Sequence, residues 1–190
     1  MQDFAKLQES LNVVNYIPSS TTKDDWSKCS VQVEIKKFAT IANIVPYDTL
    51  RFGYLTLKEG LMTTVGANYI CAMLRGDSVT FFNNAASRIG VGTSNTAANA
   101  SQTDLLGTSA RKIIDVGYPK IFGETDTPTI ASGAIRFRST FGSSEGNFSW
   151  QEFGLFNAGT GGTMLDRFVQ NCGTKTNGQV WELSIDFTFA

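Results

Sequence analysis

The sequence has 190 residues, of which 42% are hydrophobic and 17% charged, and its 16 basic and 17 acidic side chains leave a formal net charge of −1. Because no basic cluster is present, we expect no nucleic-acid partner; the longest apolar stretch, 60–76, is too short and too interrupted to span a membrane. Histidine is absent, which excludes Ser-His-Asp and Cys-His catalysis.

Residues 1–29 are predicted to form an extended N-terminal arm. The stretch FAKLQESL could form a short helix, and a polar segment rich in Ser, Thr, Lys and Asp follows it. The first 18 residues, MQDFAKLQESLNVVNYIP, carry an acid at Asp3 and lack the long apolar core of a signal peptide, so we expect synthesis in a cytoplasm.

Residues 30–190 are predicted to form one β domain. In SVQVEIKKF, apolar and polar residues alternate with the period of a half-buried strand. The best helix candidate follows, at about 57–74, although Gly60 and Gly66 weaken that prediction.

From Ser78 onward the patterns are those of strands. RIGVG and GAIRFRSTF are strand candidates, and NFSWQEFGLFN is apolar on both faces, with Trp150 and Phe156 in phase. QVWELSIDFTFA alternates up to its end, and Gly/Asn/Ser turns separate these stretches. We therefore predict a mainly β fold: an antiparallel β-sandwich of jelly-roll type with one short helix and the extended arm.

The stretch ASRIGVGTSNTAANASQTDLLG resembles a glycine-rich phosphate-binding loop only superficially. No Lys follows Gly92, and the next residues lack helical periodicity. We therefore predict a short strand followed by an ordered loop that crosses the surface or a neighbouring chain.

Three acids, Glu145, Glu152 and Asp166, cluster near the aromatic strand. A pair of carboxylates could serve a glycosidase without histidine. The alternative, which the sequence favours, is structural: Glu152 caps a turn or pairs with one of the arginines Arg136, Arg138 and Arg167. No catalytic residue is predicted.

Three cysteines, Cys29, Cys71 and Cys172, lie far apart without a CxxC spacing. In a reducing compartment this predicts buried free thiols. Because histidine is absent and the cysteines are dispersed, we predict no metal site, and nothing in the sequence indicates a cofactor.

Two stretches resemble recurrent motifs of tailed-bacteriophage structural proteins. FNNAASRIGVGTSNTAANASQTDLLG is similar to the first motif, and STFGSSEGNFSWQEFGLFNAGTGGTMLDRFV to the second, while GTKTNGQVWELSIDFTF resembles their closing turn and strand. The resemblance covers about 81–189 and implies a virion component without active-site residues. The matching positions would then serve the fold or assembly: Asn147, Trp150, Glu152, Gly154, Phe156, Gly162, Leu165 and Arg167.

The resemblance leads us to expect a non-enzymatic capsid cement or decoration protein, made in the cytoplasm of a host bacterium and carried on the virion. Its partners would be the major capsid protein and copies of itself, as a dimer or trimer. The alternative is a tail fibre, spike or baseplate module that contacts host surface glycans. An enzyme that cleaves such glycans ranks below both.

Overall fold

The computed structural model describes residues 29–40, 42–43, 45–55, 62–121 and 133–189, so the predicted arm lies outside the described residues. In the described ranges the chain forms nine strands and one helix. In chain order these are β1 (Cys29–Phe38), β2 (Asp48–Leu55), α1 (Thr64–Arg75), β3 (Arg88–Gly92), β4 (Ser109–Ile113), β5 (Lys120–Ile121), β6 (Ala134–Phe141), β7 (Glu152–Phe156), β8 (Met164–Val169) and β9 (Val180–Phe189).

The strands form two antiparallel sheets, which confirms the predicted β-sandwich. The five-stranded sheet has the order β2-β1-β9-β6-β5, and the four-stranded sheet has the order β4-β3-β7-β8. Four pairs of consecutive strands are neighbours in one sheet, and after each pair the chain changes to the other sheet; the pairs are β1–β2, β3–β4, β5–β6 and β7–β8. The four-stranded sheet is thus built from two separate parts of the chain, whereas the five-stranded sheet gathers strands from three.

The core lies between the inner faces of the two sheets. On β9, the side chains of Trp181, Leu183, Ile185 and Phe187 are all buried, as the alternating pattern predicts. They form one cluster with residues of the opposite sheet, and the Trp181 ring centroid lies 4.8 Å from that of Trp150, which precedes β7. Burying each such side chain contributes about 1.5–3 kcal/mol, so this apolar layer is the main source of stability.

The outer face of β9 is more buried than its polar sequence suggests. Ser184 is buried although it points away from the core, because its partners across the sheet, Glu34 and Arg138, carry long side chains. Arg136 and Asp186 on the same face form two hydrogen bonds of 2.7 Å. Charged side chains paired in this way cover the outside of the five-stranded sheet.

Helix α1 begins later than the sequence predicts. Its first residue is Thr64, because Thr63 is extended and its side-chain oxygen accepts the Gly66 amide hydrogen as an N-cap. Met62 forms an isolated bridge with Asp166 on the edge strand β8, so the chain is strand-like immediately before the helix. The prediction of a helix from about residue 57 is therefore wrong at residues 62 and 63, which are not helical. Residues 56–61 lie outside the described residues. Neither α1 nor any other helix in the described ranges has the length and apolarity needed to cross a bilayer.

The phase predicted for Trp150 also needs correction. Trp150 packs in the core with Phe153, their ring centroids 6.2 Å apart, whereas Phe156 belongs to a separate cluster with Leu105 and Met164. Strand β7 starts only at Glu152, so the alternation does not extend back to Trp150. Every residue of β7 is nevertheless buried, which confirms that both faces of this strand are covered.

Candidate functional site

The buried ion pair of Glu152 and Arg167 is the centre of the candidate site. Both side chains are fully buried on the outer face of the four-stranded sheet. The Arg167 Nε and Nη2 atoms donate to Glu152 Oε2 at 3.0 and 2.8 Å. Glu152 therefore pairs with the third of the three arginines considered from sequence; Arg136 pairs with Asp186, and Arg138 with Asp115 and Glu182.

This pair holds the loop 93–107 onto the sheet. The Glu152 carboxylate accepts backbone N–H groups of Ser94, Leu106 and Gly107 at 3.1, 2.9 and 2.7 Å. Arg167 Nη1 donates to the Thr96 carbonyl at 3.1 Å and to the Gln102 side-chain oxygen at 3.0 Å. The loop's amide groups thus surround an anion, and that anion is the protein's own carboxylate.

Gly92 makes room for this arrangement. A Cβ atom at Gly92 would lie 2.5 Å from Glu152 Oε1, closer than any real contact allows. The second glycine of GVG in ASRIGVGTSNTAANASQTDLLG is therefore explained by the approach of a buried carboxylate to strand β3, and the predicted short strand and ordered loop are confirmed.

Asp166 has a different role from Glu152, although the two lie on neighbouring strands. The register of β7 and β8 shifts between Leu155 and Phe156, and Asp166 Oδ1 accepts the Leu155 N–H at 3.0 Å. Its other oxygen has no hydrogen-bond partner among the described residues. Burial raises the pKa of the Asp166 carboxyl to about 7, against the lowering effect of the Leu155 N–H. The Asp166 side chain therefore supplies a hydrogen-bond acceptor for the Leu155 N–H at the point where the register of β7 and β8 shifts.

Glu145 serves a turn. Its carboxylate accepts the Gly142 N–H at 2.7 Å and pairs with Lys112 at 2.6 Å. Burial alone would raise the pKa of Glu145, but these hydrogen bonds and the charge of Lys112 lower it. The three acids considered for glycosidase chemistry are thus engaged separately: Glu152 by Arg167, Asp166 by β7, and Glu145 by Lys112.

The cysteines differ in exposure. Cys172 is buried, and burial raises its pKa to about 12. Cys71 is free but exposed on α1, so the prediction of a buried thiol is wrong there: the face of the helix turned to the sheet carries Gly66 and Tyr69 instead. The Cys29 side chain lies outside the description. Among the described residues no cluster of three or more His, Cys, Asp or Glu could hold a metal.

The role of Arg111 was not predicted from the sequence. Its guanidinium lies 3.5 Å from the centroid of the Phe156 ring and donates to the Ala158 and Gly161 carbonyls at 3.2 and 2.8 Å. It also pairs with Asp104 at 2.7 Å. These groups border a shallow polar depression of about 290 Å³, lined by Asp104, Ser109, Arg111, Gly159, Thr160 and Gly161.

The residues that carry the motif resemblance form contacts within this chain. Trp150 donates its indole N–H to the Gly146 carbonyl at 2.8 Å, and Asn147 accepts from Lys175 at 2.8 Å. The Leu165 carbonyl accepts the Thr63 N–H at 3.1 Å, while Gly162 has a positive φ of 71°. These residues build loops, strand pairs and the core.

The fold and site define an antiparallel β-sandwich whose buried charges fasten its own loops. Comparison with known proteins adds no relative: no family model, no curated protein and no solved structure matches this chain significantly.

Proposed function

We propose that this protein is a non-enzymatic structural component of a tailed-bacteriophage particle, a cement or decoration protein that stabilises the head. Its partners would be the major capsid protein and other copies of itself. The proposal rests on the motif resemblance of 81–189 and on the way that the buried acids are engaged within the fold. It places the protein on the virion after synthesis in the host cytoplasm.

One observation carries the proposal: large apolar side chains are exposed at the end of α1 and on the segments 81–84 and 113–121. Val116 is 93% exposed and Leu74 79%. The segments 81–84 and 113–121 are in contact, since the Asn84 side chain donates to the Asp115 and Tyr118 carbonyls, both at 3.1 Å. The other exposed apolar residues of these segments are Met73, Phe81, Ile113 and Ile121. Such a surface suits contact with another protein, and repetition over a symmetric shell multiplies weak contacts.

The alternative is a tail fibre, spike or baseplate module that contacts host surface glycans. The shallow polar depression beside Arg111 favours it, because convergent backbone and side-chain polar groups can bind sugar hydroxyls. An enzyme that cleaves glycans ranks third, because Glu145, Glu152 and Asp166 are each engaged elsewhere.

Copy number tests the proposal. The protein should be present in purified virions at hundreds of copies, measured against the major capsid protein on a quantitative gel. A handful of copies would favour the tail alternative, and absence from the particle would contradict both. Release of reducing sugar from host glycans by the purified protein would favour the enzyme.

The proposed attachment surface can be tested separately. Val116→Glu should abolish binding to particles that lack the protein while leaving its melting temperature unchanged, because the side chain is almost fully exposed. Val45→Glu is the matched control, since Val45 is 72% exposed on the β1–β2 connection. Equal binding by both variants would contradict a role for this surface.

The N-terminal arm is the second proposed attachment device. Deleting residues 1–28 should leave a folded β domain, because strand β1 starts at Cys29, but it should prevent binding to particles that lack the protein. Tight binding by the shortened chain would show that the arm is not needed.

A further inference from the structure

Lys175 lies on the connection between β8 and β9, and its buried side chain packs against the turn that connects β6 to β7. The residue is 1% exposed, and its Nζ atom donates to the Gly142 carbonyl at 2.7 Å and to the Asn147 Oδ1 atom at 2.8 Å. Its backbone N–H donates to the Phe148 carbonyl at 3.1 Å. The lysine is therefore fixed by both its main chain and its side chain against one short segment.

The environment of Lys175 disfavours its charged form. Among the described residues, no carboxylate forms an ion pair with it, although an unpaired buried ammonium is costly. Burial lowers the pKa of Lys175, against the raising effect of the Glu145 charge. A neutral amine is a nucleophile, and desolvation is one of the ways in which proteins activate lysine.

The Asn147 amide is held in place to receive that amine. Its Nδ2 atom donates to the Ser143 carbonyl at 3.0 Å, while its Oδ1 atom accepts from Lys175. The residue itself is exposed, so a leaving group released from its side chain can pass directly into solvent. Holding two reactants in contact replaces a bimolecular encounter by an intramolecular one.

We propose that Lys175 and Asn147 are joined by an intramolecular isopeptide bond in the mature protein. The neutral Lys175 Nζ attacks the Asn147 Cγ carbon and forms a C–N bond. The Cγ–Nδ2 bond breaks, the proton lost from Nζ goes to the departing Nδ2, and one molecule of ammonia leaves. No oxidant or reductant takes part, and the proposal is independent of any role in a virion.

The bond would relieve the burial of a charge. It replaces an ammonium group by a neutral amide whose N–H can still donate to the Gly142 carbonyl. It would also fix the 142–147 turn to the segment that carries Lys175, where Ser149 and Thr174 already form an isolated bridge. A covalent cross-link there reduces the conformational freedom of the unfolded chain.

Intact-mass spectrometry of the full chain under denaturing conditions tests the proposal. The protein should be lighter than its sequence mass by one molecule of ammonia. Digestion with trypsin should then yield one branched peptide that contains both Asn147 and Lys175. A main species with the full sequence mass would overturn the proposal.

Three variants distinguish this bond from other reactions. Lys175→Arg removes the nucleophile, and Asn147→Ala removes the side-chain carbonyl; both should show the full mass of their sequences. Lys112→Arg is the matched control, since Lys112 pairs with Glu145 at the same turn, and it should keep the loss of ammonia. A loss that persists in Lys175→Arg would indicate cyclisation of Asn147 onto its own backbone and would overturn the proposal.

Discussion

The contribution of the Arg167–Glu152 ion pair to the free energy of unfolding depends on its buried environment. Taking two charges out of water is expensive, and their attraction repays it only when further hydrogen bonds satisfy both groups. Here the loop 93–107 supplies them, through amide hydrogens to the carboxylate and through oxygens to the guanidinium. The pair and the loop therefore depend on each other.

Arg167→Met should destabilise the protein by about 3–5 kcal/mol, because it leaves the Glu152 carboxylate buried without its partner. Urea unfolding measures the loss, and hydrogen exchange at the Leu106 and Gly107 amides should accelerate in parallel. Arg51→Met is the control: Arg51 pairs with Glu34 but its side chain is 67% exposed, so about 1 kcal/mol or less is expected. Similar losses in both variants would contradict the interdependence of pair and loop.

Asp166 predicts a dependence of stability on pH. The pKa of Asp166 is about 7 in the folded protein, against 3.8 for an ordinary aspartate side chain, so between these values the folded state binds a proton that the unfolded state has lost. From about pH 4 to about pH 7, the free energy of unfolding should fall by about 1.4 kcal/mol per pH unit from this group alone.

Asp166→Asn should remove that dependence and be more stable than the wild type at pH 8, since its side-chain oxygen can still accept the Leu155 N–H. Chemical denaturation at several pH values provides the measurement. Asp77→Asn serves as control at an exposed pair with Arg75. If Asp166→Asn and the wild type show parallel pH profiles, the assignment to Asp166 is wrong.

At the scale of elements, helix α1 is positioned by its contact with β8. Gly66 lies on the first turn, and a Cβ atom there would be 2.2 Å from the Leu165 carbonyl oxygen. The Thr63 N–H donates to that same carbonyl at 3.1 Å. The helix and the residues before it therefore approach the edge strand backbone-to-backbone and cover the edge of β8 around Leu165 and Asp166.

Gly66→Ala should destabilise the protein, although alanine favours a helix by about 1 kcal/mol over glycine. The methyl group cannot fit without moving α1 away from β8, so we expect a lower midpoint of thermal unfolding. Gly159→Ala is the matched control, because its nearest contact would be an ordinary 3.8 Å from Arg88. A more stable Gly66→Ala variant would show that propensity outweighs this contact.

The sequence predicts elements well where one face of a strand is buried. The alternation of β1, β6 and β9 follows from the single apolar core that they share. The helix start, the phase of Trp150 and the exposure of Cys71 could not be predicted, because each depends on a segment distant in sequence. Strand β8 fixes where α1 starts and which of its faces is buried, and the segment 172–173 forms backbone hydrogen bonds with Trp150. The sequence predicts that Glu152 could pair with any of three arginines. Arg167 is its partner because β7 and β8 are neighbours and their register places Arg167 opposite Gly154, beside Glu152.

At the scale of the whole molecule, β9 holds the five-stranded sheet together. It lies between β1 and β6, paired with both along most of its length, and its inward side chains are buried. A chain that stops at residue 179 should therefore show no cooperative unfolding transition by circular dichroism. The chain without residues 1–28 is its control and should retain the transition; cooperative unfolding of both shortened chains would contradict this role of β9.

The position of β9 also has a consequence for synthesis on the ribosome. The strands of the four-stranded sheet have all been made by residue 169, so that sheet can form while translation continues. The two hairpins β1–β2 and β5–β6 must then wait, each with an unpaired edge, for β9, which is translated after all of their strands. Nascent chains of this protein should accordingly be most prone to aggregation, and most dependent on chaperones, in the interval between the translation of β6 and that of β9.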